Sequence, residues 1–139
     1  MASLQEQNKA VVRRFFEAFN QKNPDICNEV VAPEAINHSV PIPPGREYWK
    51  QANRMFINAF PDGQQTVDDQ IAEADKVVTY WTVRGTHRGD FMNIPPTGKQ
   101  ITFSGILIDR IVQGQIAERW GVLDLMSAMQ QLGVIPTTR

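Results

Sequence analysis

Asp124, His38 and His87 are the side chains of this sequence best suited to moving a proton near neutral pH. Asp124 closes the stretch Gln115-Ile-Ala-Glu-Arg-Trp-Gly-Val-Leu-Asp124. Read as an uninterrupted strand, alternation puts Ile116, Glu118, Trp120, Val122 and Asp124 on one face. The other face takes Ala117, Arg119, Gly121 and Leu123. A carboxylate buried beside large aromatic rings has a raised pKa and can act as a general base. Asp124 also stands where this strand gives way to a final helix. Asp is a favoured N-cap, so a purely structural role competes with the chemical one. Asp109 and Glu118 are weaker candidates, because a buried Glu118 could equally pair with Arg84 or Arg110. His38 lies between Ile36 and Val40 on a short alternating segment, as a satisfied histidine or as a hydrogen-bond donor to a pocket.

The elements that must position these residues follow from periodicity. Ser3 and Glu6 form a capping box before a helix whose Val12, Phe15, Phe16 and Phe19 make one stripe. That stripe reads as core, with its outer end free to line a cavity. Asn23-Pro24 opens a second, short helix that Pro33 ends, and Ala35 to Val40 reads as a short strand. A third helix, Arg46 to Phe60, carries Trp49, Ala52, Phe56 and Ala59 on one stripe and stops at Pro61-Asp62-Gly63.

From Gln65 the period falls to two. Val67, Asp69 and Ile71 share one face of a strand, and Val77 to Phe91 makes a long one. One face of the latter carries Thr79, Trp81, Val83, Gly85 and His87. Lys99 to Val112 follows, with Gly105 as the expected bulge or bend, and Gln113-Gly114 turns into the stretch that ends at Asp124. Leu125 to Leu132 closes the chain as a helix with Gly133 at C′. Three helices before a run of antiparallel strands predict an α+β fold, with helices covering one face of a strongly curved, mainly antiparallel sheet. Such a cone is a natural pocket for a small apolar or aromatic molecule.

Length and composition set the outer limits. With 139 residues, 42% hydrophobic and 21% charged, the chain is expected to form a single domain over 1–139. A net charge of −1 with scattered cations argues against nucleic-acid or anionic-membrane partners. No apolar run is long enough to span a bilayer, and the polar start is unlike a signal peptide. The lone Cys27 fits a reducing, cytoplasmic setting. Two distant histidines and one cysteine give no metal spacing, and no phosphate loop or dinucleotide fingerprint is present, so neither metal nor cofactor is expected. An outer sheet face carrying Tyr80, Ile106 and Ile108 predicts a homodimer.

Several segments together resemble a known family: Val-Val-Arg-Arg-Phe-Phe-Glu-Ala-Phe-Asn (11–20), Ala-Phe-Pro-Asp (59–62), Arg-Gly-Thr-His-Arg-Gly-Asp-Phe (84–91), Ile-Pro-Pro-Thr-Gly-Lys (94–99) and Glu-Arg-Trp-Gly-Val-Leu-Asp (118–124). They look like the SnoaL-like polyketide cyclases, ester cyclases of the NTF2-like superfamily, over Asn8 to Gly133. The resemblance implies a cone-shaped half-barrel, commonly dimeric and cofactor-free. Its members close a ring by intramolecular aldol condensation of an aromatic polyketide methyl ester, with a late aspartate as base and histidines near it.

Asp124 matches that aspartate, His38 the early-strand histidine, and His87 lies in the Gly-Thr-His motif. Asn93 stands where glycine is common, and Gln115 where lysine is usual. The expected site is therefore catalytic Asp124, His38 and His87, in a cavity of Phe16, Phe19, Trp49, Phe56, Trp81, Phe91, Phe103 and Trp120. A non-catalytic binding protein, or another cofactor-free reaction such as isomerisation or epoxide hydrolysis, would use the same cone.

Overall fold

The computed structural model describes residues 2–136, so residues 1 and 137–139 of the expected domain lie outside the described residues. Helix α1 spans Leu4–Asn20, and the Ser3 hydroxyl accepts from the Glu6 N–H at 3.1 Å, satisfying one of the orphan donors of the first turn. Its stripe buries Val12, Phe16 and Phe19. The second helix is shorter than expected: a 3₁₀ turn, Pro24–Ile26, runs into a single α turn, α2 (Cys27–Val30). The β-branched pair Val30-Val31 favours extended backbone, and β1 (Val31–Asn37) begins before Pro33 is reached. Proline is tolerated there because β1 is an edge strand. His38 consequently lies just past the strand and not within it. Helix α3 spans Arg46–Ala59.

Four further strands follow: β2 (Gln64–Glu73), β3 (Lys76–Thr86), β4 (Gln100–Val112) and β5 (Gln115–Leu123), then α4 (Leu125–Leu132). Spatial order is β1-β5-β4-β3-β2, with β1 parallel to β5 and the other pairs antiparallel. Helices α1 and α3 cover the concave face, where Phe16, Phe19 and Trp49 meet Val77, Trp81, Val83, Phe103 and Ile116 in one buried cluster. Among the described residues no helix is long and apolar enough to cross a membrane.

Two bulges decide which residues face inward. The two-residue turn sets Val112 opposite Gln115 and Ile111 opposite Ile116. Continuing without a slip would bring Asp109 opposite Glu118, two like charges. Instead the register shifts after Ile111, so that Arg110 pairs with Glu118 and Asp109 with Arg119. Ala117 is the extra residue, and beyond it the phase of β5 is inverted. Arg119 is buried, while Trp120 is only half-buried on the outer face. The uninterrupted alternation expected for this stretch is thereby corrected.

A second bulge at Asp68 does the same to β2: Val67 stays inward, but Asp69 and Ile71 point out. Gly105, expected to mark a bulge or bend, makes no bulge and keeps ladder register. A Cβ there would lie 2.8 Å from both the Leu123 side chain and the Val122 carbonyl, so the glycine permits close approach.

Strand β3 stops at Thr86, five residues short of the expected end at Phe91. The N–H groups of Arg88 and Gly89 turn away from the ladder to donate to the Ala59 carbonyl, which α3 leaves unsatisfied at its C-terminus. Gly89 is packed so tightly against the Asn58 carbonyl that no side chain fits. Met92 and Asn93 then take left-handed backbone, with φ of 49° and 65°, in the loop that leads to β4.

Candidate functional site

A cavity of about 450 Å³ opens between α1, α3 and the concave sheet. Phe15 and Phe16 come from α1, Trp49, Ala52, Asn53 and Phe56 from α3, and Trp81, Leu107, Arg119, Gly121 and Leu123 from the sheet. The segment after β1 contributes Ser39, Val40 and Ile42, and Leu125 of α4 closes one side. Of the eight aromatic residues expected at the cavity, Phe16, Trp49, Phe56 and Trp81 are on its wall. Phe19, Phe91 and Phe103 are instead packed around Phe56 and Phe60, with ring centroids 5.2 to 6.4 Å apart. Trp120 is outside, where the bulge puts it.

The three expected catalytic residues are not brought together: among the described residues none lines this cavity and no hydrogen bond joins any two of them. His38 lies on the outer side, stacked on Trp120 with centroids 4.8 Å apart and planes 9° from parallel. Its Nε2 is 2.9 Å from Glu118 Oε2, and Arg110 holds the other carboxylate oxygen at 2.7 and 3.0 Å. These two partners, His38 first, hold the Glu118 carboxyl below its ordinary pKa.

His87 is fully buried. Its Nδ1 accepts from the Thr97 N–H at 3.2 Å, which assigns the ring proton to Nε2, and Nε2 has no partner among the described residues. Its surroundings are Phe60 and Phe91, away from the cavity wall. Asp124 is exposed and caps α4, its Oδ1 accepting from the Ser127 N–H at 3.0 Å. Its neighbours Leu123 and Leu125 both line the cavity, so its carboxylate belongs to the rim and not the wall.

Arg119 is what sequence reasoning missed. It is 6% exposed and donates through Nε (2.7 Å) and Nη2 (3.0 Å) to both oxygens of Asp109, which is wholly buried. Its guanidinium lies 4.3 Å from the centroid of Phe15 and 5.0 Å from that of Trp49. A signal was present: Asp109 falls in the inward phase of β4 with Leu107 and Ile111, and a buried carboxylate there requires a cation opposite it. Two of the lining residues also carry a buried polar atom without a partner among the described residues, Trp81 Nε1–H and Asn53 Oδ1.

Burial pushes the Cys27 thiol up to about 11, so it stays protonated and unreactive near neutral pH. Among the described residues no group of three or more His, Cys, Asp or Glu is placed to hold a metal ion.

Comparison with known proteins agrees with the architecture. The chain is similar to TsrD from Streptomyces laurentii, at 26% identity with a TM-score of 0.90, covering 96% of this chain and 100% of that one. IdmH, a candidate polyketide cyclase from Streptomyces antibioticus, matches at 32% identity and a TM-score of 0.78 over 91% of this chain and 99% of its own. AclR, a candidate hydroxylase from Streptomyces galilaeus, matches at 26% identity and a TM-score of 0.85 over 97% and 86%. No curated protein matches the sequence. A family profile described as SnoaL-like polyketide cyclase matches residues 9–132. The chain belongs to the SnoaL-like polyketide cyclase family, with its NTF2-like α+β fold.

Proposed function

We propose that this protein takes up a planar, largely apolar molecule of the polyketide type and closes a ring in it by cofactor-free acid/base chemistry. The observation that carries this reading is the aromatic-walled cavity of about 450 Å³, a size suited to a small-molecule ligand. In the reaction a base removes a proton from a carbon flanked by carbonyl groups. The resulting enolate carbon bonds to a second carbonyl carbon of the same molecule, and the alkoxide so formed takes up a proton. Asp124 serves as the base, from the rim, through the carboxylate oxygen that α4 does not use. Neither histidine faces the cavity, so proton transfer rests on Asp124 alone.

Binding without turnover is the second reading. It is favoured by one observation: among the described residues the cavity wall carries no Asp, Glu or His. One substitution separates the two. Asn caps a helix about as well as Asp, so Asp124→Asn leaves melting unchanged but cannot accept a proton. Turnover of an activated methyl-ester polyketide should fall roughly 10²–10⁴-fold. Full turnover in that variant removes Asp124 from the chemistry. Saturable binding with no turnover even in the unmodified protein favours the second reading.

The same proposal includes a homodimer through the convex face, where Tyr80, Ile106, Ile108 and Val122 are exposed together. Light scattering should return twice the 15.7 kDa chain mass; the single mass across micromolar concentrations would exclude it.

A further inference from the structure

Arg119 makes a tie between β4 and β5, but the tie does not use the whole guanidinium. Nε and Nη2 are spent on Asp109, and among the described residues nothing accepts from Nη1. Arginine carries five N–H donors and no acceptor, so the two N–H groups of Nη1 remain for something in the cavity that this residue lines. The head is not free to swing. Asp109 grips one edge in the bidentate geometry, and Phe15 and Trp49 flank it at 4.3 and 5.0 Å. A buried N–H left unpaired is costly, and an apolar ligand would leave it so.

We infer that Arg119 Nη1 is the donor for an anionic oxygen, so that the ligand is a planar aromatic molecule bearing an enolate, phenolate or carboxylate. This rests on the cavity reading above and gives it a polarity. Asp109 is a positioning residue: it holds the guanidinium edge-on and cancels its net charge. Attraction is therefore directional hydrogen bonding to a localised oxygen beside aromatic walls. For the proposed ring closure, the enolate oxygen is the group Arg119 would hold while the base takes the proton.

The test uses the full chain and two probes of nearly equal shape, 2-naphthoate and its methyl ester, titrated by tryptophan fluorescence. The acid should bind at least roughly 10-fold more tightly than the ester, the effect of a hydrogen bond to a charged group. That preference should stay level from about pH 6 to 9, because the acid probe is a carboxylate throughout this range. Arg119→Met alone would strand the buried Asp109 carboxylate and could unfold the protein. The double variant Asp109→Leu with Arg119→Met replaces the pair by apolar side chains. It should fold, keep ester binding and lose the preference for the acid.

Equal binding of acid and ester by the unmodified protein overturns the Arg119 donor but leaves the cavity reading standing. A preference that survives in the double variant also overturns it. Binding of neither probe overturns both.

Discussion

Two aromatic clusters lie side by side under the helices, and only one of them leaves room for a ligand. In the first, Phe19, Phe60, Phe91 and Phe103 gather around Phe56, which also reaches the cavity wall, with His87 beside them, and Phe19 and Phe60 are at most 1% exposed. In the second, Phe15, Phe16, Trp49 and Trp81 pack at much the same spacing, 5.6 to 6.0 Å, yet they border the cavity. Ring density does not separate them. What differs is the material opposite the rings. Gly63 lets the Phe19 ring close down on the β2 turn, and a side chain there would strike it. Across the second cluster stand Ala52, with only a methyl group, and a cation in place of a further hydrocarbon. Aromatic residues make a cavity only where their neighbours leave one.

The largest effect that tests this contrast is on stability. Phe60→Ala should cost about 3–5 kcal/mol in chemical denaturation, because the closed cluster cannot collapse onto the void. Phe15→Ala, at a wall already open to the cavity, should cost roughly half as much. Equal losses would mean that the second cluster is as tightly filled as the first. The smallest effect is spectroscopic. A planar ligand in the cavity should quench tryptophan emission, and Trp81→Phe should abolish most of that change. Trp120→Phe should leave it intact, since Trp120 stacks on His38 outside the cone. Loss of quenching with Trp120 would put the ligand on the convex face.

Local rules made much of the fold legible. The caps at Ser3, Asn23 and Asp124 and the left-handed Gly133 depend on a few neighbouring residues each, and all four stand as the sequence implies. The inward faces of β3 and β4 were legible for a similar reason: neither strand slips, so alternation carries from end to end. The bulges at Asp68 and Ala117 were not legible, because each is settled by what lies across the ladder. In β5 the deciding facts were the charges of Asp109 and Arg110 on a neighbouring strand. The same dependence explains Phe91 and His87. Where β3 ends was fixed by an unsatisfied carbonyl at the end of α3, a partner that periodicity within the strand cannot see. Four of the eight aromatic residues expected at the cavity border it, and Arg119 was not among the residues expected there.

The slip at Ala117 also has a genetic meaning. Remove that one codon, and β5 would alternate without interruption from Gln115 onward. Glu118 would follow Ile116 directly, still opposite Arg110, and Arg119 would stay opposite Asp109. Every later residue would keep its face, so the cavity lining would survive the loss. Deletion of Gly121 would not be absorbed in this way, because Val122 would take its inward place and Leu123 would turn out. The pocket's polarity is stored in the count of residues as much as in their kind.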